Sequence, residues 1–333
     1  MLTQQKEEAI DIAFFIKKIQ SALAYRESFY ADATTTAFRV LNGEGDGLGG
    51  LTIDYFDGYY LFTWYSLGIF EFRSLILEAF QQSVSFKGLY QKKRFDSKGK
   101  YLDDKDDFLL GTQAPAPLLI KENGVTFSIY LDDGAMTGLF LDQREVRKTL
   151  RDKYAKNKKL LNTFSYTGAF SVFAALGGAL ETTSVDLAKR SLPKTTEQFE
   201  NNHIDAAKQN IVVEDVFLYF KYALRKKMLF DIVVADPPSF ARSKKHTFSA
   251  NKDYVKLLKE IIQITKVGGV IVASTNAASF SMMRFHDFIA TAFKELKGKY
   301  KVLESYSLPK DFRVYEKFQE GNYLKVVFIR KIK

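Results

Sequence analysis

The stretch from Leu160 to Asp186 constrains the fold of this chain more than any other. It reads as a short apolar strand, a tight turn that contains Gly168, an apolar helix and a second strand that ends in Asp186. In an open parallel sheet, ligands bind beyond the carboxyl ends of the strands, and an acid about 20 residues after the first turn binds ribose hydroxyls. Asp186 lies at about that distance from the turn. The stretch therefore predicts a nucleoside-binding site in a parallel α/β sheet.

The glycine content of this turn narrows the class of ligand. A dinucleotide site uses several glycines, in the pattern G-x-G-x-x-G, to bring the backbone close to the pyrophosphate. Gly168 is the only glycine in the turn, so a dinucleotide is disfavoured. A nucleoside without phosphates, such as the adenosyl part of S-adenosylmethionine, needs fewer glycines.

The absence of cysteine excludes several kinds of chemistry. With no Cys and three His, the chain has no disulfide, thiolate nucleophile or cysteine-ligated metal, and no metal site is expected. No stretch approaches the ~20 apolar residues of a membrane span, and acidic residues near the N-terminus argue against a secretion signal. These features favour the cytoplasm. The net charge of +10 suits a polyanion-binding protein, but equally a basic solvated surface.

Hydrophobic periodicity divides the chain into two predicted domains. Residues 1–117 are expected to form a small α+β domain, and a linker over 113–117 closes it. Its predicted elements are a helix over 5–31, a hairpin over 51–64 turned by Asp57-Gly58, and a helix over 70–80.

Residues 118–333 are predicted to form the second domain. It begins with a hairpin turned by Asn123-Gly124 and a helix over 142–151, after which strands and helices alternate as in a parallel sheet. Pro193 is interpreted as the first helical residue after an N-cap Ser191. The last two strands are expected to pair as an antiparallel edge. The predicted strands are 159–163, 182–186, 211–213, 230–236, 270–274, 301–307 and 323–329.

A second segment with chemical character follows the apolar strand that begins at Phe230. The strand ends in Asp236, and Pro237, Pro238, Ser239 and Phe240 come next. Prolines fix the backbone and remove amide donors, so carbonyls after Asp236 can face a ligand while Phe240 offers a ring for stacking. That arrangement suits a flat base held beside a methyl donor. The plainer interpretation is a strand end followed by a rigid turn.

These segments together resemble the class I S-adenosylmethionine-dependent methyltransferases. Among them the chain is similar to the 23S ribosomal RNA methyltransferase family that contains the cytosine-C5 and guanine-N7 enzymes. The resemblance implies an α/β, Rossmann-like class I methyltransferase sheet with a smaller N-terminal α+β domain, and S-adenosylmethionine as donor with S-adenosylhomocysteine as product. It also implies 23S rRNA as partner and leaves a homodimer open. The matching segments are 42–51, 137–144, Asn162–Gly168, Val185-Asp186, Asp236–Phe240 and 320–325.

Two departures from the family pattern bear on the reaction. Many members carry a PUA RNA-binding domain before the Asn-Gly-Glu loop, and the 41 residues before Asn42 are expected to be too few for one. The C5-cytosine enzymes need a cysteine that adds to the base, and this chain has none. The resemblance therefore favours the guanine-N7 branch, whose target nitrogen already presents a lone pair.

The resemblance also implies roles for individual residues. Asp186 would bind the ribose, Asp215 the adenine amine, and Asp236 the sulfonium side and the target base. For Asp215, a helix N-cap is the alternative. The remaining implied donor-site residues are Phe164, Ser165, Tyr166 and Gly168, which wrap the donor, and Gln143 and Arg144, which roof it.

The implied substrate side combines an aromatic ring with basic groups. Asp236, Pro237 and Phe240 are expected at the reacting base, and Phe240 is predicted to stack on it. Arg147 would roof the donor or meet RNA phosphate, although a solvated helix face is the alternative for Arg144 and Arg147. The basic run of Arg242, Lys244 and Lys245 is expected to contact phosphate, or else to be solvated surface.

Methyl transfer to a base of 23S rRNA, most simply a guanine N7, is the predicted function. A methyltransferase acting on a protein or small-molecule amine would share the donor site without needing a basic RNA surface. A non-catalytic RNA-binding protein would bind RNA without donor-dependent turnover.

Overall fold

The computed structural model describes residues 8–95, 107–134, 136–242 and 247–333. Its backbone contacts divide the described chain into two compact units. Unit 1 extends to Asp142 and also contains Pro309–Gly321, and unit 2 comprises Gln143–Leu308 and Asn322–Lys333. This division differs from the predicted boundary at residue 117, because later segments pack into unit 1.

Unit 1 is built on a sheet with strand order β1-β2-β3-β4-β5. Its helix α1 packs apolar side chains such as Phe15 and Ile19 into the core of this unit. The strands are β1 (Ala37–Asn42), β2 (Leu51–Phe56), β3 (Tyr59–Trp64), β4 (Gly88–Lys93), β5 (Phe108–Gly111), β6 (Leu118–Glu122) and β7 (Val125–Ile129). The helices are α1 (Ile12–Tyr25), α2 (Glu27–Tyr30), α3 (Leu67–Phe70) and α4 (Arg73–Ser83).

Both predicted hairpin turns of this unit are confirmed. Asp57-Gly58 joins β2 to β3 and Asn123-Gly124 joins β6 to β7, with positive φ at both residues of each turn. Type I′ turns require that torsion, and Asn, Asp and Gly tolerate it best. In contrast, the predicted helix over 5–31 is too long, because α1 begins after the N-cap Asp11 and a break at Arg26 separates it from α2. Residues 5–7 of that prediction lie outside the described chain.

Hydrogen bonds explain why the β6–β7 hairpin belongs to unit 1. The Thr36 amide donates to the Lys121 carbonyl and the Gly124 amide to the Thr34 carbonyl, each at 2.8 Å. The segment Pro309–Gly321 is held by a buried arginine. Arg26 forms a bidentate ion pair with Asp46 at 2.6 and 2.8 Å and donates to the Asp311 carbonyl at 2.6 Å.

Unit 2 is a seven-stranded sheet in the order β10-β9-β8-β11-β14-β16-β15. Strands β8 to β11 and β14 are parallel, and β16 pairs antiparallel with β14 and β15. The Rossmann-like class and the antiparallel edge are therefore confirmed. The strands are β8 (Lys159–Thr163), β9 (Glu181–Asp186), β10 (Asn210–Val213), β11 (Phe230–Ala235), β12 (Phe240–Arg242), β13 (Thr247–Ser249), β14 (Thr265–Thr275), β15 (Tyr300–Tyr306) and β16 (Lys325–Lys331).

Helices cover the sheet of unit 2 and bury its apolar residues. The predicted cap at Ser191 is wrong: α7 begins at Ser191, its N-cap is Arg190, and Pro193 is the third helical residue. A proline is tolerated there because the amides of the first turn have no partner within the helix. The helices are α5 (Arg144–Thr149), α6 (Ala169–Leu176), α7 (Ser191–Glu200), α8 (Val216–Arg225), α9 (Ala250–Ile264) and α10 (Met282–Glu295). None of the helices in the described ranges is long and apolar enough to cross a bilayer.

Candidate functional site

The turn between β8 and α6 has an unusual backbone. Phe164, Tyr166 and Gly168 have φ values of 55°, 52° and 78°, which lie in the left-handed region. For bulky residues such as Phe and Tyr this conformation is rare, and it persists only where the surroundings hold it. Strain of this kind concentrates at ligand-binding loops. We call residues 164–168 the donor loop.

Asp186 is one of the groups that hold the donor loop. Its Oδ2 accepts a hydrogen bond from the Tyr166 amide and its Oδ1 one from the Ala188 amide, both at 2.9 Å. The Ser165 amide donates to the Val185 carbonyl at 3.1 Å. The carboxylate that was predicted to bind ribose therefore also shapes the loop beside it.

Close packing at Gly168 requires glycine. A Cβ atom at this position would lie 2.4 Å from Cγ2 of Thr195, in addition to the positive φ. Thr195 is fully buried on α7. The helix that follows β9 thus packs directly against the donor loop, and no larger residue fits without movement.

Asp215 lies beside Asp186 in the sheet, because it follows β10 and Val213 pairs with Asp186. Its Oδ1 accepts from the Phe217 amide at 2.9 Å and caps α8. The Glu214 amide donates to the Asp186 carbonyl at 3.0 Å. The N-cap alternative is therefore what the structure shows, and the contact of Asp215 with adenine stays a prediction.

Three aromatic rings connect the segments around these strand ends. Phe164, Phe217 and Phe248 have centroid separations of 5.9 to 6.5 Å. Phe164 comes from the donor loop, Phe217 from the first turn of α8 and Phe248 from β13. The packing of Phe164 against the other two rings gives it a structural role besides the predicted contact with the donor.

The segment after β11 places an aromatic ring at the surface. Asp236 is half-buried and Pro237 buried, whereas the side chain of Phe240 is 63% exposed. Ser239 Oγ donates to Asn276 Oδ1 at 2.6 Å, and the Ala250 amide donates to the Ser239 carbonyl at 3.0 Å. These bonds hold the rigid turn, so Phe240 is presented with little freedom of the backbone beneath it.

Asp236 follows β11, which is the neighbour of β8 in the sheet. The chain continues from β8 to β9 on one side, and β11 lies on the other side, so the strand order reverses between β8 and β11. Open α/β sheets bind ligands in the crevice at such a point. The donor loop, Asp186 and Asp236 therefore lie where this class of fold places its ligand.

Gln143 and Arg144 are buried, at 3% and 2% exposure. Gln143 Nε2 donates to Ser274 Oγ at 2.8 Å. Arg147 is 2% exposed and its guanidinium lies 5.7 Å from the centroid of the Phe170 ring. The alternative of a solvated helix face for the two arginines is wrong, because α5 turns this side towards the protein. The burial of Arg147 also does not favour the predicted phosphate contact.

Orphaned polar atoms test whether the donor fits these residues. Ser165 Oγ and Gln143 Oε1 are buried and have no hydrogen-bond partner within the described part of the chain. An unmet polar atom of this kind costs about 1–3 kcal/mol, and a ligand with hydroxyl and ammonium groups can supply the partners. S-adenosylmethionine carries both, so the residues present fit it.

Other predicted groups are only partly described. The backbone of Arg242 belongs to β12, while its side chain, Lys244 and Lys245 lie outside the described residues. Within the described ranges, no cluster of three or more His, Cys, Asp or Glu side chains could hold a metal ion.

Sequence reasoning assigned no role to two residues that support this end of the sheet, although Lys325 lies in the matching segment 320–325. Tyr254 Oη donates to the Ser274 carbonyl at 2.5 Å, and burial together with Asp236 raises the pKa of Tyr254 well above its ordinary value. Lys325 Nζ donates to the carbonyls of Ala277 and Tyr323 at 3.0 and 2.9 Å. A lysine at the start of the apolar strand β16 is the one signal in the sequence that could have drawn attention to this support.

Comparison with known proteins gives consistent findings. The family model described as S-adenosylmethionine-dependent methyltransferase matches residues 46–309. The chain is 55% identical to a Bacillus subtilis protein provisionally named a ribosomal RNA large subunit methyltransferase, YwbD, over 99% of this chain and 83% of that protein. It is 30% identical to ribosomal RNA large subunit methyltransferase I of Aeromonas salmonicida, over 98% of this chain and 83% of that one.

A similar crystal structure is also known. It is that of SMU.776, provisionally named a methyltransferase, in complex with S-adenosylhomocysteine. The TM-score is 0.91 at 44% sequence identity, with 98% of this chain and 83% of that chain covered.

Proposed function

We propose that this chain, which belongs to the S-adenosylmethionine-dependent methyltransferase family, methylates a base of large-subunit ribosomal RNA, at the N7 atom of a guanine. The observation that carries the proposal is the juxtaposition of two strand ends. The donor loop after β8 lies next to the segment Asp236–Phe240 after β11. The donor loop thus forms a side of the crevice that suits the donor, and the segment Asp236–Phe240 forms a side that suits a flat base.

The substrate class is supported by relatives and by charge. Relatives at 55% and 30% identity carry names that specify large-subunit ribosomal RNA, and the chain has a net charge of +10. A methyltransferase that acts on a small amine would need neither the exposed ring of Phe240 nor this charge. RNA is therefore the substrate that the features favour.

The chain's own residues would position the two reactants. When bound, S-adenosylmethionine supplies a methyl group on a sulfonium sulfur. The donor loop and Asp186 would orient the nucleoside part, and Ser165 Oγ and Gln143 Oε1 would complete their hydrogen bonds on it. Phe240 would stack on the base that has left its helix. Such positioning supplies up to about 7–11 kcal/mol of a bimolecular barrier.

The choice of guanine N7 rests on what the chain lacks. Methylation at C5 of cytosine requires a thiolate that adds to the ring, and this chain has no cysteine. Guanine N7 presents a lone pair and no proton, so its methylation needs neither a nucleophilic residue nor a base. The remaining requirement is alignment of the nitrogen with the sulfonium methyl.

The test uses tritiated S-adenosylmethionine and 23S rRNA from cells that lack this gene, followed by nucleoside analysis. Label in 7-methylguanosine is the expected result. Label in 5-methylcytidine would refute the argument from cysteine, and label in another nucleoside would refute N7 while leaving the substrate class intact. Donor binding without incorporation into rRNA would refute RNA as the substrate.

A further inference from the structure

One end of the seven-stranded sheet collects segments that are distant in the sequence. The parallel strands β8, β11 and β14 begin at this end. Strand β16 is antiparallel to β14, and β15 is antiparallel to β16, so β15 also begins at this end. Strand β16 ends there. The register confirms it, since Lys301 pairs with Arg330 and Tyr300 with Lys331. Asp186 ends β9 and Asp236 follows β11, so both lie at the opposite end of the sheet.

Four segments at this end are strongly basic. They are residues 156–159 before β8, 225–227 before β11, 297–301 around the start of β15, and 330–333 at the end of β16. Twelve of their sixteen residues are Lys or Arg and none is acidic. We call these four segments the basic end. Its charge of +12 exceeds the net charge of +10 of the whole chain.

The basic groups are accessible. Eleven of the twelve are exposed, and Lys331 is the exception, since its Nζ donates to the carbonyls of Ile262 and Thr265 at 2.8 Å. The neighbouring carboxylates of Glu181 and Asp231 lie in ion pairs with Lys159 and Lys266. Glu181 therefore offsets one charge of the basic end, whereas the partner of Asp231 lies outside the four segments.

The size and spacing of the basic end match a nucleic-acid backbone. From β8 to β15 the sheet crosses four inter-strand gaps, which is about 19 Å at ~4.8 Å per gap. A duplex of that length carries about 11 phosphate charges on its two strands together, and one side of it can lie against the protein. The basic residues are therefore numerous enough to contact every phosphate on that side, and lysine side chains that contact phosphate give affinity without sequence preference.

From this we propose that the basic end is a second RNA contact surface, which binds the phosphate backbone of the same ribosomal RNA away from the methylated base. The inference rests on the proposed function. Strand β8 has five residues, so the basic end lies about 17 Å from the donor loop at ~3.3 Å per residue. An RNA held at both ends of the sheet must extend at least that far from its target base. The surface would thus select a folded, extended RNA over a short fragment.

The test neutralises three exposed lysines of the basic end. The triple variant Lys158→Gln, Lys226→Gln, Lys299→Gln removes one charge from each of three segments. The matched control Lys17→Gln, Lys221→Gln, Lys256→Gln removes the same charge from exposed positions on helices α1, α8 and α9. Affinity for 23S rRNA is measured from 50 to 200 mM KCl, and donor affinity and methyl incorporation are measured in parallel.

The dependence of affinity on salt reports the number of phosphate contacts. Each contact contributes about 0.7–0.9 to the slope of log K against log salt, so the basic-end variant is expected to lose about 2–3 from that slope. Its affinity for the donor is expected to stay unchanged. The control variant is expected to show the same slope of log K against log salt as the unmodified protein.

The outcomes separate this inference from the proposed function. If the original chain methylates 23S rRNA and the basic-end variant keeps the full slope, the basic end does not contact RNA and the proposed function stands. If both triple variants lose the same slope, the charge is unspecific and the inference fails. If the unmodified protein does not methylate 23S rRNA, the proposed function fails whatever the slopes are.

A membrane surface is the other polyanion that could meet the basic end, because exposed Leu229 and Val267 lie at the same end of the sheet. Vesicles of phosphatidylglycerol and phosphatidylcholine are therefore a further probe. Vesicle binding that the basic-end variant alone loses, with an unchanged RNA slope, would overturn the inference in favour of a membrane.

Discussion

Replacement of Gly168 by alanine tests the packing of the donor loop most directly. Gly168 has a φ of +78°, and an added Cβ would lie 2.4 Å from Thr195 Cγ2 and 3.0 Å from Thr195 Oγ1. Cβ contacts below 3.0 Å essentially do not occur in proteins. Because Thr195 is fully buried on α7, either the helix or the loop must move.

The expected loss of stability follows from two contributions. The left-handed torsion costs an L side chain about 1–2 kcal/mol, and overpacking of a buried contact costs about 1–3 kcal/mol. Gly168→Ala should therefore lower the free energy of unfolding by about 2–5 kcal/mol. Gly268 is a matched control in the same unit, since its φ is +80° and nothing lies within 4 Å of an added Cβ. Gly268→Ala should cost the torsional part alone, about 1–2 kcal/mol.

The assay combines urea unfolding, followed by circular dichroism, with calorimetric titration of S-adenosylhomocysteine. Gly168→Ala should weaken this binding, because the loop backbone shifts, and Gly268→Ala should not. A second pair of variants isolates the contact: adding Thr195→Ala removes the two nearest atoms and leaves a Cβ at 3.1 Å. The free energy of unfolding of the double variant should therefore be about 1–2 kcal/mol higher than the sum of the two single substitutions predicts.

Two results would refute this reasoning. The first is an equal loss of stability in Gly168→Ala and Gly268→Ala, which would mean that the contact with Thr195 does not contribute to the free energy of unfolding. The second is strict additivity of the Gly168 and Thr195 substitutions.

Three further predictions concern the site and its support. Asp186→Ala removes the carboxylate that is predicted to bind ribose and that also holds two amides of the site. Because a hydrogen bond to a charged group contributes about 1.5–3 kcal/mol, loss of the ribose contact should lower donor affinity at least tenfold in calorimetry; unchanged affinity would contradict the assignment. Phe240→Ala should raise the KM for rRNA and leave donor affinity intact, while Tyr65→Ala, at another exposed aromatic residue, should change neither; equal loss of donor affinity would exclude stacking. Burial raises the pKa of Glu304, but hydrogen bonds from Lys153, Tyr154 and Tyr306 lower it overall below its ordinary value of 4.5. A lowered pKa stabilises the fold above the unfolded-state value and loses that contribution as pH falls through the folded-state value. Glu304→Gln should therefore be less stable than the original chain at pH 7, and the difference in unfolding temperature should shrink below about pH 4.5; a constant difference would count against the ion pair.

Local patterns account for the parts of the fold that the sequence predicted well. The strand 159–163 has the predicted bounds, because a buried parallel strand is a short apolar run between turn residues. The turns at Asp57-Gly58 and Asn123-Gly124 follow from torsions that few residue types adopt. The positions of Asp186 and Asp236 at the carboxyl ends of their strands follow from the same patterns, while their contacts with a ligand stay predictions.

The resemblance to a methyltransferase family, carried by segments from residue 42 to 325, is likewise confirmed by the match to residues 46–309. Such segments specify a backbone geometry and a donor-site chemistry. They do not report how solvent reaches each side chain. Arg144 and Arg147 show the difference, because an arginine on a predicted helix is usually solvated and both are buried here.

The sequence by itself determined the class of fold, the local turns and the chemical character of the strand ends, since these depend on neighbours within a few residues. Only the tertiary structure decided which distant groups meet. Arg26 reaches Asp311 across 285 positions, the β6–β7 hairpin joins unit 1, and four separate segments assemble into the basic end. The physical reason is that pairing of distant segments is set by strand order and by burial of the whole core, and neither leaves a periodic signal in the chain.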